Sequence, residues 1–487
     1  MTMRLDWSDH ADPEWLARAV GEWRQRQGPL YQRLSAAIRE VIDAGDVPPG
    51  ARLPPERDLA TALGVSRSTV IGCYETLEQE RRLTRRQGSG TRVAGGERAN
   101  ASPLGDRRSR VHPRAGEHVI DLTVAGPDIS DPVRNATRRS LDQFVDADLG
   151  HGYRSQGLHA LRVAVAERFS HTGRPTTPDE VIITGGAHQG MALFLASDML
   201  PGDVVAIEDP TYLGIIDLVE HTGARCVGVP MDNHGLRPDA LEVAARRGAR
   251  LAHVVPTGQN PTGRVMPLKR RREIGATAAR LGVTLLEDTV FEDTTRGEER
   301  LPSIASLGTG ADVVTVGSVS KLFWGGLRVG WLRAPTPVID RLVRLKMMLD
   351  HGSAITAQGA ALLLLDEADA QQTWMRQRFD EAVSVIQTAL DGPLDGWSWD
   401  PPMAGLSAWV RMPIPEATRF SRFARGMGVA VVPGSACSPR GAFEDYLRIS
   451  IGPSPDVLAQ GMERLAEAWA AFTPEAPAEP RLAEARV

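Results

Sequence analysis

Six short apolar runs, at residues 181–184, 204–207, 226–229, 253–255, 283–286 and 313–316, recur along the chain with amphipathic stretches between them. A strand that is apolar throughout must be covered on both faces, and long connections between such strands have room for helices. The pattern predicts an α/β region with a mostly parallel central sheet and helices on both sides. A hydrophobic content of 42% in 487 residues is ample for that core and excludes a wholly disordered chain. No stretch approaches the ~20 apolar residues that a membrane helix needs. Arg4, Asp6 and Asp9 stand where a signal peptide would carry its apolar core, so a cytoplasmic location is expected. Cys73, Cys226 and Cys437, odd in number and far apart, suggest neither a disulfide framework nor a metal site, and read as small buried side chains.

The first 93 residues follow a different rule. Leu30, Leu34, Ile38 and Val41 recur at helical spacing. A second helix is expected from the Pro54-Pro55 step, where a missing N–H costs nothing, through Leu59 and Leu63 to a stop at Gly64. Ser66 is placed to cap a third helix that buries Val70, Tyr74 and Leu77. Two short runs then flank Gly88-Ser89-Gly90 and read as a hairpin. Three helices and a hairpin make a winged helix-turn-helix. An earlier helical stretch, residues 12–27 with Trp15 and Trp23, is expected to serve packing, with the large domain one candidate partner. Residues 94–117 turn to Gly, Pro, Ser and Arg, the composition of a flexible linker, and residues 474–487 are expected to form a disordered tail.

Charge separates the two parts. The chain carries a net −5, yet between Gly50 and Val93 eight arginines face five acids, a modest pointer to a polyanionic partner. Ser66, Arg67, Ser68 and Thr69 on one helical turn suit phosphate and base-edge contact, and an arginine can bond guanine bidentately. The run LPPERDLATALGVSRSTVIGCYETLEQERRLTRRQGSGTRV resembles the winged-helix domain of the GntR family along its length. The resemblance implies that Arg57, Arg67, Ser68 and Thr69 contact DNA and that Gly88 sits in the wing. Ile71 stands where some relatives have a further arginine, which implies a different base preference.

Chemistry in the larger part turns on lysine. Only Lys269, Lys321 and Lys346 among 56 basic side chains are lysine, so few side chains can serve as a deprotonatable amine. Lys321, in Ser318-Val-Ser320-Lys321, is followed by Gly325-Gly-Leu-Arg328, hydroxyl and guanidinium donors suited to a phosphate dianion. The run from Thr184 to Gln189, with Gly186 and Ala187, follows an expected strand and opens a helix, an anion cradle. Asn260 lies on a strand-end turn as an amide donor for a phenolic oxygen. Asp288 ends a strand, where a carboxylate can keep a pyridine nitrogen protonated. All lie at the C-terminal ends of expected parallel strands, where open α/β sheets bind ligands.

Together these residues resemble a fold-type-I aminotransferase, from about Val119 to Trp469, with the domain taken as residues 118–473. The resemblance implies pyridoxal 5′-phosphate as cofactor and Lys321 as the catalytic Schiff-base lysine. Gly186, Ala187, Ser318, Ser320 and Arg328 would hold the phosphate, Tyr212 would stack on the ring, and Asn260 and Asp288 take the roles above. It further implies that Arg448 clamps an effector carboxylate and that Tyr153 reaches the phosphate of a neighbouring subunit, hence a homodimer. One departure stands out: Val290 and Phe291 occupy the positions where relatives carry a tyrosine hydroxyl for the phenolic oxygen.

A winged helix joined to such a domain resembles the MocR (PdxR-like) branch of GntR-family regulators. The expected function is a pyridoxal-phosphate-dependent transcription factor that binds a double-stranded operator and senses the cofactor or an amino compound. An aminotransferase with a secondary DNA-binding segment stays open as an alternative, as does a DNA-binding dimer whose cofactor fold is only scaffold.

Overall fold

The computed structural model describes residues 12–21, 23–25, 28–43, 47, 51–80, 82–86, 90–93, 111–113, 118–145, 150–297 and 300–474. Gly88, expected in the wing, most of the 94–117 linker and residues 475–487 of the tail lie outside the described residues. The chain divides into two compact units, Met1–Pro103 and Leu104–Val487.

In the first unit, helices α1 (Pro13–Ala19), α2 (Leu30–Asp43), α3 (Glu56–Leu63) and α4 (Arg67–Gln79) precede strands β1 (Leu83–Arg86) and β2 (Gly90–Val93). The strands pair antiparallel, with Leu83 opposite Val93 and Arg86 opposite Gly90. α3 stops because Gly64 enters the left-handed region at φ 60°, and the Arg24 guanidinium donates to the Leu63 carbonyl at 2.7 Å. Ser66 caps α4, its Oγ accepting from the Thr69 N–H at 3.2 Å. Val70, Cys73, Tyr74 and Leu77 turn inward from α4. Burial pushes the Cys73 thiol up to about 12, so it behaves as a small apolar group. Leu16, Val20 and Trp23 from the leading stretch join this same core, which accounts for that stretch as packing of the small unit itself.

The second unit is built on an eight-stranded sheet. A short β3 (Ile120–Asp121) precedes it in the chain. The strands are β4 (Val181–Thr184), β5 (Val204–Asp209), β6 (Arg225–Asp232), β7 (Gly235–Leu236), β8 (Ala249–Val254), β9 (Thr284–Asp288), β10 (Val313–Ser318) and β11 (Gly330–Arg333), in spatial order β4-β11-β10-β9-β8-β5-β6-β7. All six apolar runs fall in or at the edge of these strands. β10, β9, β8, β5 and β6 run parallel. β11 is antiparallel to both β4 and β10 because the chain returns straight from the end of β10, with no crossover helix. Alternation along β5 shows both faces covered: Val205 and Ile207 pack with Met191, Phe194 and Ile216, whereas Val204 and Ala206 pack with Leu241, Ile274 and Ala278.

A second, antiparallel sheet has the order β12 (Ser398–Trp399), β13 (Ser407–Arg411), β16 (Tyr446–Ser450), β15 (Val432–Pro433). Beside it β14 (Val429–Ala430) pairs in parallel with β3. Val111, inside the stretch of linker composition, is buried against Leu213, Trp409, Val432 and Cys437, an apolar side chain docked on the second unit. Among the described residues no helix is long and apolar enough to cross a membrane.

Candidate functional site

The C-terminal ends of β4, β5, β8, β9 and β10 open on a cleft of about 600 Å3. Gly186, Ala187, Tyr212, Asn260 and Asp288 line it, as do Ser318, Ser320, Lys321 and Arg328. Sequence positions spread over more than a hundred residues thus converge on one space.

At the end of β4 the chain turns through Gly185 and Gly186 into the helix Ala187–Asp198, whose free N–H groups point the positive end of its dipole into the cleft. Gly186 sits at φ 105°, and a Cβ there would come within 3.1 Å of Arg328 Nη2, so glycine lets the guanidinium close over the turn. Arg328 itself holds φ 53° and donates to the Gly185 carbonyl. Behind the turn the Gly185 N–H donates to Gln189 Oε1, and Gln189 Nε2 donates to Asp350. Asp350 pairs at 2.7 Å with the fully buried Lys346. Ser318 Oγ donates to Ser320 Oγ at 2.7 Å across the loop that follows β10.

Of the three lysines, Lys269 is exposed on a helix, Lys346 is committed to Asp350, and Lys321 lines the cleft. Lys321 Nζ donates to the Ala125 carbonyl at 2.7 Å and stands 5.7 Å from the Phe291 ring centroid. Val290 and Phe291 both line the cleft, so the wall where relatives would offer a tyrosine hydroxyl is apolar here. Asp288 is buried, with Oδ1 accepting from the Val290 N–H at 3.0 Å and Oδ2 3.9 Å from His253 Nε2.

Tyr212 follows β5 on a turn fixed by the Thr211 N–H to the Cys437 carbonyl and by Arg440 on Asp209. The Tyr212 hydroxyl lies 3.5 Å from His188 Nδ1. The Asn260 turn is held from beneath. Gln259 Nε2 donates to Glu208 Oε2 at 3.1 Å and to the Pro210 carbonyl at 2.9 Å, and Gln259 Oε1 accepts from Thr262. Burial pushes the Glu208 carboxyl up to about 8, so at neutral pH it is chiefly a protonated latch. Asn260 Oδ1 is buried without a hydrogen-bond partner among the described residues, an orphaned polar atom at the cleft wall.

Two expected residues lie outside the lining. Tyr153 is exposed, between the rings of His151 and His351. Arg448, on β16, is buried and donates to the Thr123 carbonyl. The sequence reading missed His188, Trp324 and the Asp121–Asp128 side of the cleft, where only the Gly126-Pro127 step offered a signal. In the small unit Arg57, Ser66, Arg67 and Ser68 are exposed and Thr69 is half-buried.

The donor set fits a phosphorylated pyridine aldehyde. The cleft lining brings together a helix N-terminus, paired hydroxyls and an arginine, a single lysine amine, the Asn260 amide and a buried carboxylate. Comparison with known proteins agrees. The family of aminotransferases class I and II matches residues 117–465, and bacterial regulatory proteins of the gntR family match residues 30–93. The transcriptional regulator TauR of Rhodobacter capsulatus is 30% identical over 91% of this chain and 97% of its own length. The probable rhizopine catabolism regulatory protein MocR of Rhizobium meliloti is 27% identical over 92% of this chain and 95% of its own length. The α-aminoadipate aminotransferase LysN of Thermus thermophilus, solved with N-(5′-phosphopyridoxyl)-L-leucine, is 27% identical with a TM-score of 0.67, covering 75% of this chain and 97% of that one. The chain therefore belongs to the MocR-type GntR-family transcriptional regulators, a DNA-binding winged helix-turn-helix followed by a fold-type-I aminotransferase domain.

Proposed function

We propose that this regulator holds pyridoxal 5′-phosphate in the Lys321 cleft and changes its grip on DNA when the cofactor, or an amino compound meeting it there, binds. The observation that carries the reading is Lys321, the one lysine that lines the cleft among the described residues, in the same lining as Gly186 at the helix N-terminus and Asp288. When bound, the cofactor supplies an aldehyde carbon that amines attack. Gly186, Ala187, Ser318, Ser320 and Arg328 hold its phosphate, and Lys321 gives the tethering amine. Tyr212 covers the ring, Asn260 meets the phenolic oxygen, and Asp288 keeps the ring nitrogen protonated. Arg448 receives an effector carboxylate, and the exposed Tyr153 reaches the phosphate of a partner subunit in a homodimer. Arg57, Ser66, Arg67, Ser68 and Thr69 meet the operator, with Gly88 in the wing.

The logic is linkage. A ligand alters DNA affinity only by binding the DNA-competent and incompetent arrangements unequally. The apolar Val290–Phe291 wall leaves Asn260 as the donor for the phenolic oxygen, which favours sensing over turnover. The test uses a duplex that the protein selects from a random-sequence pool. Gel-shift titrations with and without pyridoxal phosphate, and then with amines and amino acids, should show affinity that depends on the ligand, together with a visible absorption band. Colourless protein, or affinity indifferent to every ligand, overturns the reading. Multiple turnover of amino acid and 2-oxo acid at ~1–10³ s⁻¹ would make it an enzyme instead.

A further inference from the structure

One short segment touches both the cleft and the described end of the linker. After β3, residues 121–126 lie along one side of the cleft, with Asp121, Val124 and Gly126 among its lining. The segment is stitched in by main-chain bonds, Leu122 N–H to the Ala430 carbonyl and Ser450 N–H to the Leu122 carbonyl, each 2.9 Å. Ser450 Oγ adds a bond to the Val124 carbonyl at 2.7 Å. Two more of its carbonyls accept from cations: Arg448 donates to Thr123 and Lys321 to Ala125. Those are the two groups that Proposed function assigns to effector and cofactor.

The other side of the segment faces the connection to the small unit. Thr123 Oγ1 donates to Asp121 Oδ1 and lies 2.7 Å from His112 Nδ1. A hydroxyl has one proton, so His112 Nδ1 must be the donor in that contact. Next to it in sequence, Val111 is buried against Trp409 and Val432.

We propose that residues 121–126 are the readout strap of the cleft, resting on the cofactor reading above. A ligand that engages Arg448 or Lys321 competes for donors that the Thr123 and Ala125 carbonyls hold. Bonds to a charged donor are the stronger kind, so losing either loosens the strap. Its Thr123 hydroxyl then holds His112, and with it the end of the linker, less firmly. Thr123 is thus a positioning residue that touches no ligand and transmits two.

The test has two arms on the full-length protein. The first needs no cofactor. Hydrogen exchange is followed at the Leu122 and Gly126 amides in wild type, Lys321→Ala and Arg448→Met. The proposal expects at least ~10-fold faster exchange there in Lys321→Ala, with the Ser66–Gln79 region unchanged. Arg448→Met should do the same, and Lys321→Ala decides the matter if the buried arginine variant does not fold. The second arm uses pyridoxal phosphate as the probe. Thr123→Val should keep the visible band and lose at least ~5-fold of the ligand-dependent change in DNA affinity, and His112→Ala should match it. Unchanged strap exchange in Lys321→Ala, or a full response in Thr123→Val, overturns the strap. If wild type shows band and response and Thr123→Val responds in full, the function stands and the strap alone falls. If wild type shows no band, the cofactor reading falls, and the strap as its readout falls with it.

Discussion

In the small unit the residues proposed to meet DNA are neighbours in sequence: Ser66, Arg67 and Ser68 follow one another at the start of α4 and stand exposed. In the large unit Gly186, Asn260, Asp288 and Lys321 come from four strand ends and face an interior space. The difference follows from the partners. A duplex is large and its phosphates and base edges must be met by projecting groups. A small anionic aldehyde must be enclosed by convergent polar groups in a mostly formed pocket. Substitution should therefore be separable in the first region and entangled with the fold in the second. The following experiments break or sharpen that contrast.

The largest effect belongs to Lys321→Ala. Its amine lies in the cleft, and Lys346 is locked to Asp350 in the interior, so no other lysine can take its place there. Absorbance after adding pyridoxal phosphate should lose the visible band entirely, and borohydride should trap no adduct. DNA affinity without cofactor should shift in the direction in which ligand shifts the wild type, because the Ala125 carbonyl loses the donor that a ligand would engage. An adduct trapped on Lys269 or Lys346 would move the site elsewhere.

Arg67→Ala is the mirror experiment and the next in size. Loss of a bidentate arginine–guanine contact costs ~1–3 kcal/mol, or ~5–150-fold in affinity for the selected duplex, by fluorescence anisotropy. The absorption band should be untouched. If the loss is equal on all sequences and the salt dependence falls by about one ion, Arg67 meets phosphate rather than a base.

How far each region could be read in sequence follows from the same contrast. The α4 turn was legible because capping, the Gly64 stop and the arginine are all local. The six sheet runs were legible because strands covered on both faces cannot hide polar residues. β11 was not, since Gly330-Trp-Leu-Arg333 is short and its place between β4 and β10 is set by the return of the chain. The cleft residues that sequence supplied are side chains at strand ends. Of the missing ones His188 meets Tyr212 by its ring, but others work through main-chain carbonyls, such as Ala125 for Lys321 and Thr123 for Arg448, and a carbonyl has no residue type. His253 beside Asp288 depends on strand register between β8 and β9, which no local pattern reports.

Entanglement with the fold predicts a pH effect of intermediate size. Burial pushes Glu208 up to about 8 from an ordinary 4.5. Between those values the folded chain holds a proton that the unfolded chain has released, so stability from this group is full below about 4.5 and is lost as pH rises towards 8. Melting temperature should fall from pH 5 to pH 8.5, and Glu208→Gln should flatten the slope. Glu292, held up to about 7 by burial beside Asp293, leaves a smaller slope behind. A variant with the wild-type slope would mean that Glu208 is ionised in its latch.

The smallest effect tests separability at its weakest point, Ser66, where the cap and the proposed DNA contact share one side chain. Its Oγ accepts from the Thr69 N–H, so Ser66→Ala should cost about 1 kcal/mol and lower the melting of the small unit by ~4–8 °C. Ser66→Asp still accepts that bond, and its charge suits the helix N-terminus, so stability should hold or rise slightly. The same charge repels phosphate, so DNA affinity should fall several-fold and recover at higher salt only in relative terms. A stability loss in Ser66→Ala with no change in DNA affinity would make Ser66 a cap alone. A loss of affinity in Ser66→Asp with melting unchanged would show that even here fold and function occupy different atoms, because the cap uses a lone pair and the duplex senses the charge.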